Sequence, residues 1–332
     1  MSEYTAELQD AARFMREHDD FLIISHVSPD GDTTGSALAV GLMLEQLGKR
    51  CTLVNEGETP AKFGFLPGCE RIVNLREQPL GRMFSHVIAV DAADSKRIGE
   101  AASLLSPDAR IVNIDHHPTN DRFGQVNVIR TDAAATAEII YELAAAGQFP
   151  IDESIATCLY TGLLTDTGGF RYSNTTSRVM EIAARLLAYG IKPGEIAERC
   201  LESITLEHVH LLKRALGALS LHYNNRVAAL KVSHADLAET NAAPDDLSGL
   251  VNYGRNIEGV EVGVLLTENA PGVVKVSLRS RSLVDVAEIA KSLGGGGHAR
   301  AAGCTLKGGL EQAEGLVLAK LGEALAGVGL CD

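Results

Sequence analysis

The chain has 332 residues, more than a single hydrophobic core usually supports, so two domains are expected. Apolar residues make up 45% of the sequence, which excludes an intrinsically disordered chain. The formal net charge of -13 argues against sequence-independent binding of long duplex DNA, because such binding needs a basic surface. The same acidity suits a protein that concentrates divalent cations.

The six cysteines are scattered along the chain without a C-x-x-C pair, so we expect neither a disulfide framework nor a structural zinc site. The N-terminus is polar and amphipathic and does not resemble a signal peptide. No apolar run approaches the length of a membrane span. These features predict a cytoplasmic protein without a membrane anchor.

The first half of the chain alternates short apolar runs with helical patterns. The predicted strands are 20–25, 50–57, 86–91, 109–115 and 125–129. The predicted helices are 34–48, 133–147 and 153–170. Thr34 is the expected N-cap of the first of these helices, and Gly48 its C-terminal stop. Strands that alternate with helices predict an α/β domain with a doubly wound, mostly parallel sheet.

The second half of the chain begins with a helical stretch, from about 177 to 218, that Pro193-Gly194 interrupts. Strands and helices then resume and predict a smaller C-terminal α/β domain that contains the run "GGGGHARAAG". The expected organisation is therefore a first domain, a helical linker and a second domain. Their bounds are 1–190, 191–218 and 219–332.

Metal-binding side chains follow several of the predicted strands. Ligands in open α/β sheets gather outside the carboxyl ends of the strands, so we expect these side chains at one edge. They are His26, Asp30, Asp32, Asp91, Asp94, Asp115, His116, His117 and Asp166. One such residue alone is more often a helix cap or a surface pair, but four elements that converge predict a metal centre. Clustered carboxylates repel one another unless cations neutralise them.

The composition of this cluster predicts the kind of metal site. Oxygen-rich sites with one or two imidazoles suit Mn²⁺, Mg²⁺ or Fe²⁺ better than a thiolate zinc site does. One ion needs about four to six ligands including water, so this many side chains indicates two ions. Two ions about 3.5–4 Å apart are the usual apparatus of phosphoester hydrolysis.

Four segments around these residues resemble the metal motifs of the DHH phosphoesterase superfamily, and Asp115-His116-His117 is the signature of that family. The segments are "SHVSPDGDTTGS", "AVDAAD", "NIDHHPTN" and "LLTDTGGF". "SLRS" at 277–280 and "GGGGHARAAG" at 294–303 resemble its C-terminal DHHA1 substrate domain. The resemblance covers nearly the whole chain. It is greatest to compact oligoribonucleases that degrade nanoRNA and dephosphorylate 3′-phosphoadenosine 5′-phosphate (pAp).

The resemblance implies a role for each residue of the metal cluster. The ligands of the first ion are His26, Asp30 and Asp91. The ligands of the second ion are Asp32, Asp91, His116 and Asp166. His117 is expected to face the phosphate, and Asp115 to orient a histidine, as imidazoles at metal centres usually require. His117, Asp91 and Asp115 are thus the expected catalytic residues, with two divalent ions, Mn²⁺ preferred.

The second domain has chemistry of its own that suits a phosphorylated substrate. A glycine run lets backbone N–H groups approach an anion closely. Arg279 and Arg281 alternate along a strand end and point to the same face. Asn252 and Arg255 resemble residues near the nucleotide in the family. The predicted substrate-binding residues are Asn252, Arg255, Arg279, Ser280, Gly295, Gly296, Gly297 and His298.

The sequence therefore predicts a two-metal phosphodiesterase that hydrolyses short RNA, linear dinucleotides and pAp in a cleft between its domains. Cyclic dinucleotides as substrates and a homodimer are also compatible with it. A family II inorganic pyrophosphatase is one alternative, although a basic Ser-Arg-Lys-Lys-type motif would replace "SLRS". A RecJ-like exonuclease would need a longer chain. A non-catalytic nucleotide sensor would usually have lost a metal ligand, and none is missing here.

Overall fold

The computed structural model describes residues 2–330, and the chain divides into two compact units between Ser203 and Ile204. This division falls inside the segment 191–218 predicted as a helical linker. Among the described residues, no helix combines the length and the hydropathy that crossing a bilayer would require. The five cysteines in this part of the chain are free thiols.

The first unit is built on a six-stranded sheet in which all neighbouring strands are parallel, in the order β3-β2-β1-β4-β5-β6. Its strands are β1 (Phe21–Ile24), β2 (Cys51–Asn55), β3 (Val73–Asn74), β4 (Phe84–Val90), β5 (Leu105–Asp115) and β6 (Val126–Ile129). Its α-helices are α1 (Glu3–Glu17), α2 (Gly31–Gln46), α3 (Thr136–Ala146), α4 (Glu153–Asp166), α5 (Ser177–Leu187) and α6 (Pro193–Ala197). The predicted parallel α/β fold is confirmed.

The two faces of this sheet are covered differently. The α-helices pack on the face that carries Ile23, Ile88 and Val112. The opposite face carries Leu22 and Val87 and packs against loops and a short 3₁₀ helix after β4. The strand order reverses between β1 and β4, and an open α/β sheet binds its ligands at such a switch point.

Helix α2 begins three residues earlier than predicted, because Asp30 and not Thr34 is its N-cap. The Asp30 side chain accepts the backbone N–H groups of Asp32 and Thr33, which otherwise have no partner in the first turn. At the other end Gly48 has φ +71°, the left-handed conformation that commonly ends a helix. Gly48 therefore ends α2 as predicted.

The second unit has a mixed sheet in the order β11-β12-β10-β9-β8-β7, in which only β8 and β9 pair in parallel. Its strands are β7 (Ser220–His222), β8 (Val227–Val232), β9 (Val262–Ala270), β10 (Val273–Ser280), β11 (Gly296–His298) and β12 (Ala301–Lys307). Its helices are α7 (Leu206–Gly217), α8 (His234–Thr240), α9 (Leu250–Arg255), α10 (Val286–Ser292) and α11 (Leu310–Gly327). Two apolar clusters, one on each face, hold the helices to this sheet.

Candidate metal centre

The loop between β1 and α2 brings His26 and Asp30 to the carboxyl edge of the first sheet. His26 is buried, and Asp30 is fixed by its capping bonds to the first turn of α2. A carboxylate at a helix N-terminus also gains from the partial positive charge of that terminus. The short loop that ends at the N-cap of α2 therefore sets the distance between His26 and Asp30.

Asp91 follows β4 and lies between the imidazoles. Its φ is +58°, a left-handed conformation that Asp tolerates better than most residues with a Cβ. Its backbone N–H donates to the carbonyl of Ile114 at 2.9 Å. Its carboxylate oxygens lie 3.4 Å from His26 Nε2 and 3.7 Å from His116 Nε2. Asp91 thus has the central position that a bridging ligand requires.

His116 and Asp166 lie together on the other side of Asp91. His116 Nδ1 is 3.3 Å from the carbonyl of Ala133, and its Nε2 is 3.5 Å from Asp166 Oδ2. A backbone carbonyl that accepts from one ring nitrogen fixes the direction of the other, and histidines that bind metals are usually oriented in this way. Asp166 is the last residue of α4, and Asn174 donates to its carbonyl at 3.1 Å.

Asp32 also has a structural role, as a cap of helix α3, that was not predicted from the sequence. It is fully buried, and its oxygens accept the backbone N–H groups of Thr136 at 2.6 Å and Ala137 at 2.9 Å. These are the first two residues of α3, whose own N-cap residue, Ala135, offers no side-chain acceptor. Asp32 therefore caps α3 from a distant part of the chain. A backbone donor has no side-chain signature, so this contact could not be found in the sequence.

Three groups of residues are arranged so that they could hold a cation. In each group every residue offers one metal-ligating atom, and these atoms all lie within 4.8 Å of one another. The groups are His26, Asp30 and Asp91; Asp32, His116 and Asp166; and Asp91, His116 and His117. The first group has the three residues expected at the first ion, and the second group has three of the four expected at the second ion, without Asp91. The distances from Asp91 to His26 and to His116 connect these two sets.

The electrostatics of this cluster favour a bound cation. Burial, together with the charges of Asp91 and Asp30, raises the pKa of Asp32 well above its usual range. Burial and neighbouring carboxylates raise the pKa of Asp166 in the same way. Burial also acts to raise the pKa of Asp91, but His26 and two further imidazoles outweigh it and hold that pKa below its usual value. A divalent ion would relieve the repulsion among the carboxylates, so the donor set fits one.

Thr33 and Thr136 are polar residues of the site that sequence reasoning did not identify. Thr33 Oγ1 lies 2.7 Å from His26 Nε2, 3.0 Å from Asp30 Oδ1 and 2.6 Å from Asp91 Oδ2. The three donors of the first set therefore point at one small volume. Thr136 Oγ1 donates to the other oxygen of Asp91 at 3.0 Å. The position of Thr33 directly after Asp32 was the only available signal.

His117 is held differently from His116. Its Nδ1 is 2.7 Å from Asp115 Oδ1 and 3.6 Å from Asp91 Oδ1. Asp115 is fully buried and belongs to none of the three donor groups among the described residues. The contact to Asp115 therefore fixes the direction of the His117 ring through its Nδ1 atom.

In the second unit, strand register brings Arg279 and His298 to the same face of the sheet. His298 pairs with Ala301, Ala301 with Arg279, and Arg279 with Gly263. Directly paired residues on antiparallel strands point to the same face, and alternate strands are about 10 Å apart. In this row the residue between Arg279 and His298 is Ala301, whose side chain is a single methyl group.

Helix α9 crosses the same face beside Arg279. A Cβ on Gly263 would lie 2.7 Å from the Arg255 nitrogen and from the Val251 carbonyl oxygen, so only glycine allows this approach. The Arg255 guanidinium donates to Asn256 Oδ1 at 2.9 and 3.2 Å. Asn252 Oδ1 is buried and accepts no hydrogen bond from residues 2–330. Arg279 and helix α9, which carries Asn252 and Arg255, thus lie on one face of the second sheet.

Part of the glycine run lies in an edge strand of the second sheet. Gly296–His298 is β11, which pairs with β12. A Cβ on Gly295 would lie 2.1 Å from the Gly303 carbonyl oxygen, and one on Gly297 2.5 Å from that of Ala301. Close packing on β12 therefore explains two of the glycines. At Gly296 a Cβ would meet nothing, so packing does not require glycine there.

Ser280 and Arg281 make contacts within the second unit. Ser280 is 2% exposed, and its hydroxyl donates to the carbonyl of Ala299 at 3.3 Å. Arg281 donates to the carbonyls of Arg255, Asn256 and Ile257 at the end of α9, each at 3.3 Å. The geometry favours a structural role for both residues. Ser280 supports the turn that follows His298.

Comparison with known proteins bears on the family of the chain. The model of the DHH family, N-terminal domain, matches residues 20–163, and that of the DHHA1 domain matches residues 224–327. The exopolyphosphatase-related protein from Bacteroides fragilis has a solved structure that superposes with a TM-score of 0.91 at 24% sequence identity. The superposition covers 99% of this chain and 100% of that chain. This likeness supports the fold.

Two curated relatives match almost the whole sequence. The bifunctional oligoribonuclease and PAP phosphatase NrnA of Thermus thermophilus is 38% identical over 309 residues, which cover 92% of this chain and 90% of that protein. NrnA of Bacillus subtilis is 27% identical over 292 residues, which cover 87% and 90%. The chain therefore belongs to the DHH family of phosphoesterases, with a DHHA1 domain as its second unit.

Proposed function

We propose that this phosphoesterase hydrolyses short oligoribonucleotides, including linear dinucleotides, and pAp. The observation that carries the proposal is the convergence of two donor sets around Asp91 at the switch point of a parallel sheet. Relatives that are named for oligoribonuclease and PAP phosphatase activity support the choice of substrate. An inorganic pyrophosphatase, a RecJ-like exonuclease and a nucleotide sensor have no comparable support.

Two divalent ions, with Mn²⁺ preferred, would be held by residues of the first unit. We assign His26, Asp30 and Asp91 to the first ion. We assign Asp32, Asp91, His116 and Asp166 to the second. When bound, such ions supply Lewis-acid stabilisation of phosphoryl oxygens and make water a nucleophile near neutral pH.

The side chains of the first unit contribute orientation and proton transfer. The 2.7 Å contact to Asp115 sets the direction of His117, whose Nε2 then faces the phosphoryl group. From there an imidazolium can stabilise developing negative charge or give a proton to the leaving oxygen. Asp115 stays away from the reacting atoms and keeps the ring in place.

The second unit would hold the part of the substrate that does not react. We assign Arg279 and His298 to a second phosphate, because strand register places both side chains on one face of the second sheet. Arg255 and Asn252, on the adjoining α9, would contact the nucleoside. Gly295, Gly296 and Gly297 would let backbone N–H groups approach the phosphate, and Ser280 would support this strand.

Arg279→Ala and His298→Ala should each lower kcat/KM for pAp and dinucleotides by roughly 10- to 150-fold. A charge-assisted contact is worth about 1.5–3 kcal/mol, and each 1.4 kcal/mol is tenfold in rate. Hydrolysis of bis-p-nitrophenyl phosphate should change little, because that ester has no second phosphate. The ratio of the two rates is the quantity to measure.

Lys275→Ala is the matched control, since Lys275 lies on the same face of β10, four residues before Arg279, and is exposed. This variant removes one positive charge at a position about 13 Å from Arg279. It should leave the ratio of the nucleotide rate to the small-ester rate unchanged. If Arg279→Ala or His298→Ala slows the small ester as much as the nucleotides, the second unit does not act as a separate substrate clamp.

The preference for short chains is tested with 5′-labelled RNA. The net charge of -13 offers no extended electrostatic track for a long polyanion, so rates should fall as length rises from two to about twenty nucleotides. Gel analysis of the products at equal molar substrate measures this. Undiminished digestion of the longest RNA would favour a RecJ-like enzyme. Rapid release of phosphate from pyrophosphate would favour a pyrophosphatase.

Several finer features stay predictions alongside this function. They are the preference for Mn²⁺, the use of cyclic dinucleotides, a homodimeric assembly and a cytoplasmic location. Turnover of linear and cyclic dinucleotides side by side, with each divalent metal in turn, measures the first two directly.

A further inference from the structure

We infer that Asn120 is a positioning residue for catalysis, which acts through Asp115 on His117. The inference rests on the proposed function. Asn120 is the last residue of the segment "NIDHHPTN", but it is neither a predicted metal ligand nor a predicted substrate-binding residue. The assignment comes from its four side-chain hydrogen bonds, which join the loops that follow β4 and β5.

The Asn120 side chain makes two donor contacts that reach both loops. Its Nδ2 donates to Asp115 Oδ2 at 2.7 Å and to the carbonyl oxygen of Ala92 at 3.1 Å. Ala92 directly follows Asp91, whose backbone is in the left-handed region. The bond to Ala92 anchors the amide, and the bond to Asp115 holds the carboxylate that contacts His117.

The two acceptor contacts determine the orientation of the amide. Asn120 Oδ1 accepts the backbone N–H of Arg122 at 2.7 Å and Asn113 Nδ2 at 3.1 Å. Since a backbone N–H can only donate, the oxygen must face Arg122 and the nitrogen must face Asp115. Asn113 is fully buried in β5, so the network extends into the sheet.

The backbone of the same segment is also constrained. The N–H of Asn120 donates to the carbonyl of His117 at 3.1 Å, which closes a turn with Pro118 in its second position. Proline fixes φ at the value that this turn position prefers. The N–H of Asp121 donates to the carbonyl of Ala93 at 3.0 Å. His117 is therefore held at its backbone by the turn and at its ring by Asp115.

This arrangement predicts an effect on rate rather than on substrate binding. Without the amide, Asp115 loses a donor and the His117 ring loses its fixed direction, while the metal-binding donors stay in place. Residues that orient the groups of a metal centre typically contribute about 10- to 100-fold to activity. Asn120→Ala should therefore lower kcat for pAp by that factor, with KM within about threefold and bound metal unchanged.

Asn120→Asp distinguishes a donor from a space-filling residue. It keeps the shape but turns an acceptor towards Asp115, so kcat should fall below that of Asn120→Ala. The exchange Asp115→Asn with Asn120→Asp restores one donor–acceptor pair and should recover about tenfold over Asn120→Asp alone. Failure of the exchange to recover activity would overturn a direct Asp115–Asn120 interaction.

Asn127→Ala is the control for lost amide hydrogen bonds. Asn127 is part-buried in β6, and its amide exchanges two hydrogen bonds with the backbone of Gly124, at 2.6 and 3.0 Å. It contacts none of the candidate site residues through these bonds. Its variant should lose comparable stability in thermal unfolding but keep kcat. Equal slowing by Asn127→Ala and Asn120→Ala would overturn the inference.

Two measurements separate this inference from the proposed function. Wild-type protein without turnover of any nucleotide would overturn the proposed function. The ¹⁵N imidazole resonances of His117 then test the positioning role of Asn120 independently of activity. They are assigned by their absence from the spectrum of His117→Ala. We expect a protonated Nδ1 in the wild type and a shifted, broadened signal in Asn120→Ala. An unchanged signal in that variant, or a loss of kcat accompanied by loss of metal, would overturn the positioning role.

Discussion

Asp91→Asn should abolish turnover and leave the fold intact. Asp91 lies at the end of β4 within 3.4 Å of His26 and 3.7 Å of His116, so its charge serves both donor sets. Loss of several kcal/mol of metal-derived stabilisation corresponds to a rate at least about 10³-fold lower. Asparagine is preferred to alanine for this test, because it tolerates the left-handed φ of +58° that the position requires.

Asp20→Asn is the matched control for this change. Asp20 also has a left-handed φ, of 57°, but it lies just before β1 and pairs with Arg82 at 2.8 Å. This control should keep nearly all activity. Steady-state rates with pAp and saturating Mn²⁺, with circular dichroism of both variants, make the comparison. A folded Asp91→Asn variant with more than about one hundredth of the wild-type rate would contradict the metal assignment.

The two neighbouring histidines should separate metal binding from catalysis. His116 directs Nε2 towards Asp166, so His116→Ala should reduce the bound metal. The Nδ1 atom of His117 contacts Asp115, which is not among the ligands assigned to either ion. His117→Ala should therefore keep the metal and slow the reaction by roughly 10²-fold or more. Elemental analysis after dialysis against limiting Mn²⁺, with kcat measured at saturating Mn²⁺, distinguishes the two.

His86→Ala provides the reference for a histidine removed from the same sheet. His86 lies near the amino end of β4, where its Nδ1 contacts the carbonyl of Asp19 at 3.0 Å. It should change neither metal content nor kcat, although thermal stability can fall. Equal metal loss in His116→Ala and His117→Ala would show that the histidines share one role.

The convergence of the acidic and histidine residues followed from the strand pattern. Uninterrupted apolar runs such as Phe21–Ile24 predict strands buried on both faces, and such strands occur in parallel sheets. The carboxyl ends of parallel strands meet at one edge, so residues directly after the runs had to lie close together. His26, Asp91 and His116 were found in this way, because strand ends are visible in a sequence.

Contacts to the backbone could not be found in the same way. Asp32 caps α3 more than one hundred residues away, and the partners of its oxygens are N–H groups that every residue but proline carries. Asn120 is similar, since half of its contacts are to the backbone of Ala92 and Arg122. Their identification needs the tertiary structure, because no residue type marks the partner.

The glycine run has a packing role that composition alone does not reveal. Four successive glycines predict a loop, because glycine is the residue of greatest conformational freedom. In the structure Gly295 and Gly297 are required by the close approach of β12, and the run continues as the edge strand β11. The sequence does not distinguish a glycine needed for freedom from one needed for space.

The central claim, a two-metal phosphoesterase, is tested most directly by metal titration of the stripped wild-type protein. The protein is dialysed against chelator, Mn²⁺ is returned in steps, and bound metal and phosphate release from pAp are followed together. We predict no turnover without metal and full turnover at about two bound equivalents per chain. Full turnover in the presence of chelator, or saturation at a single equivalent, would contradict the account.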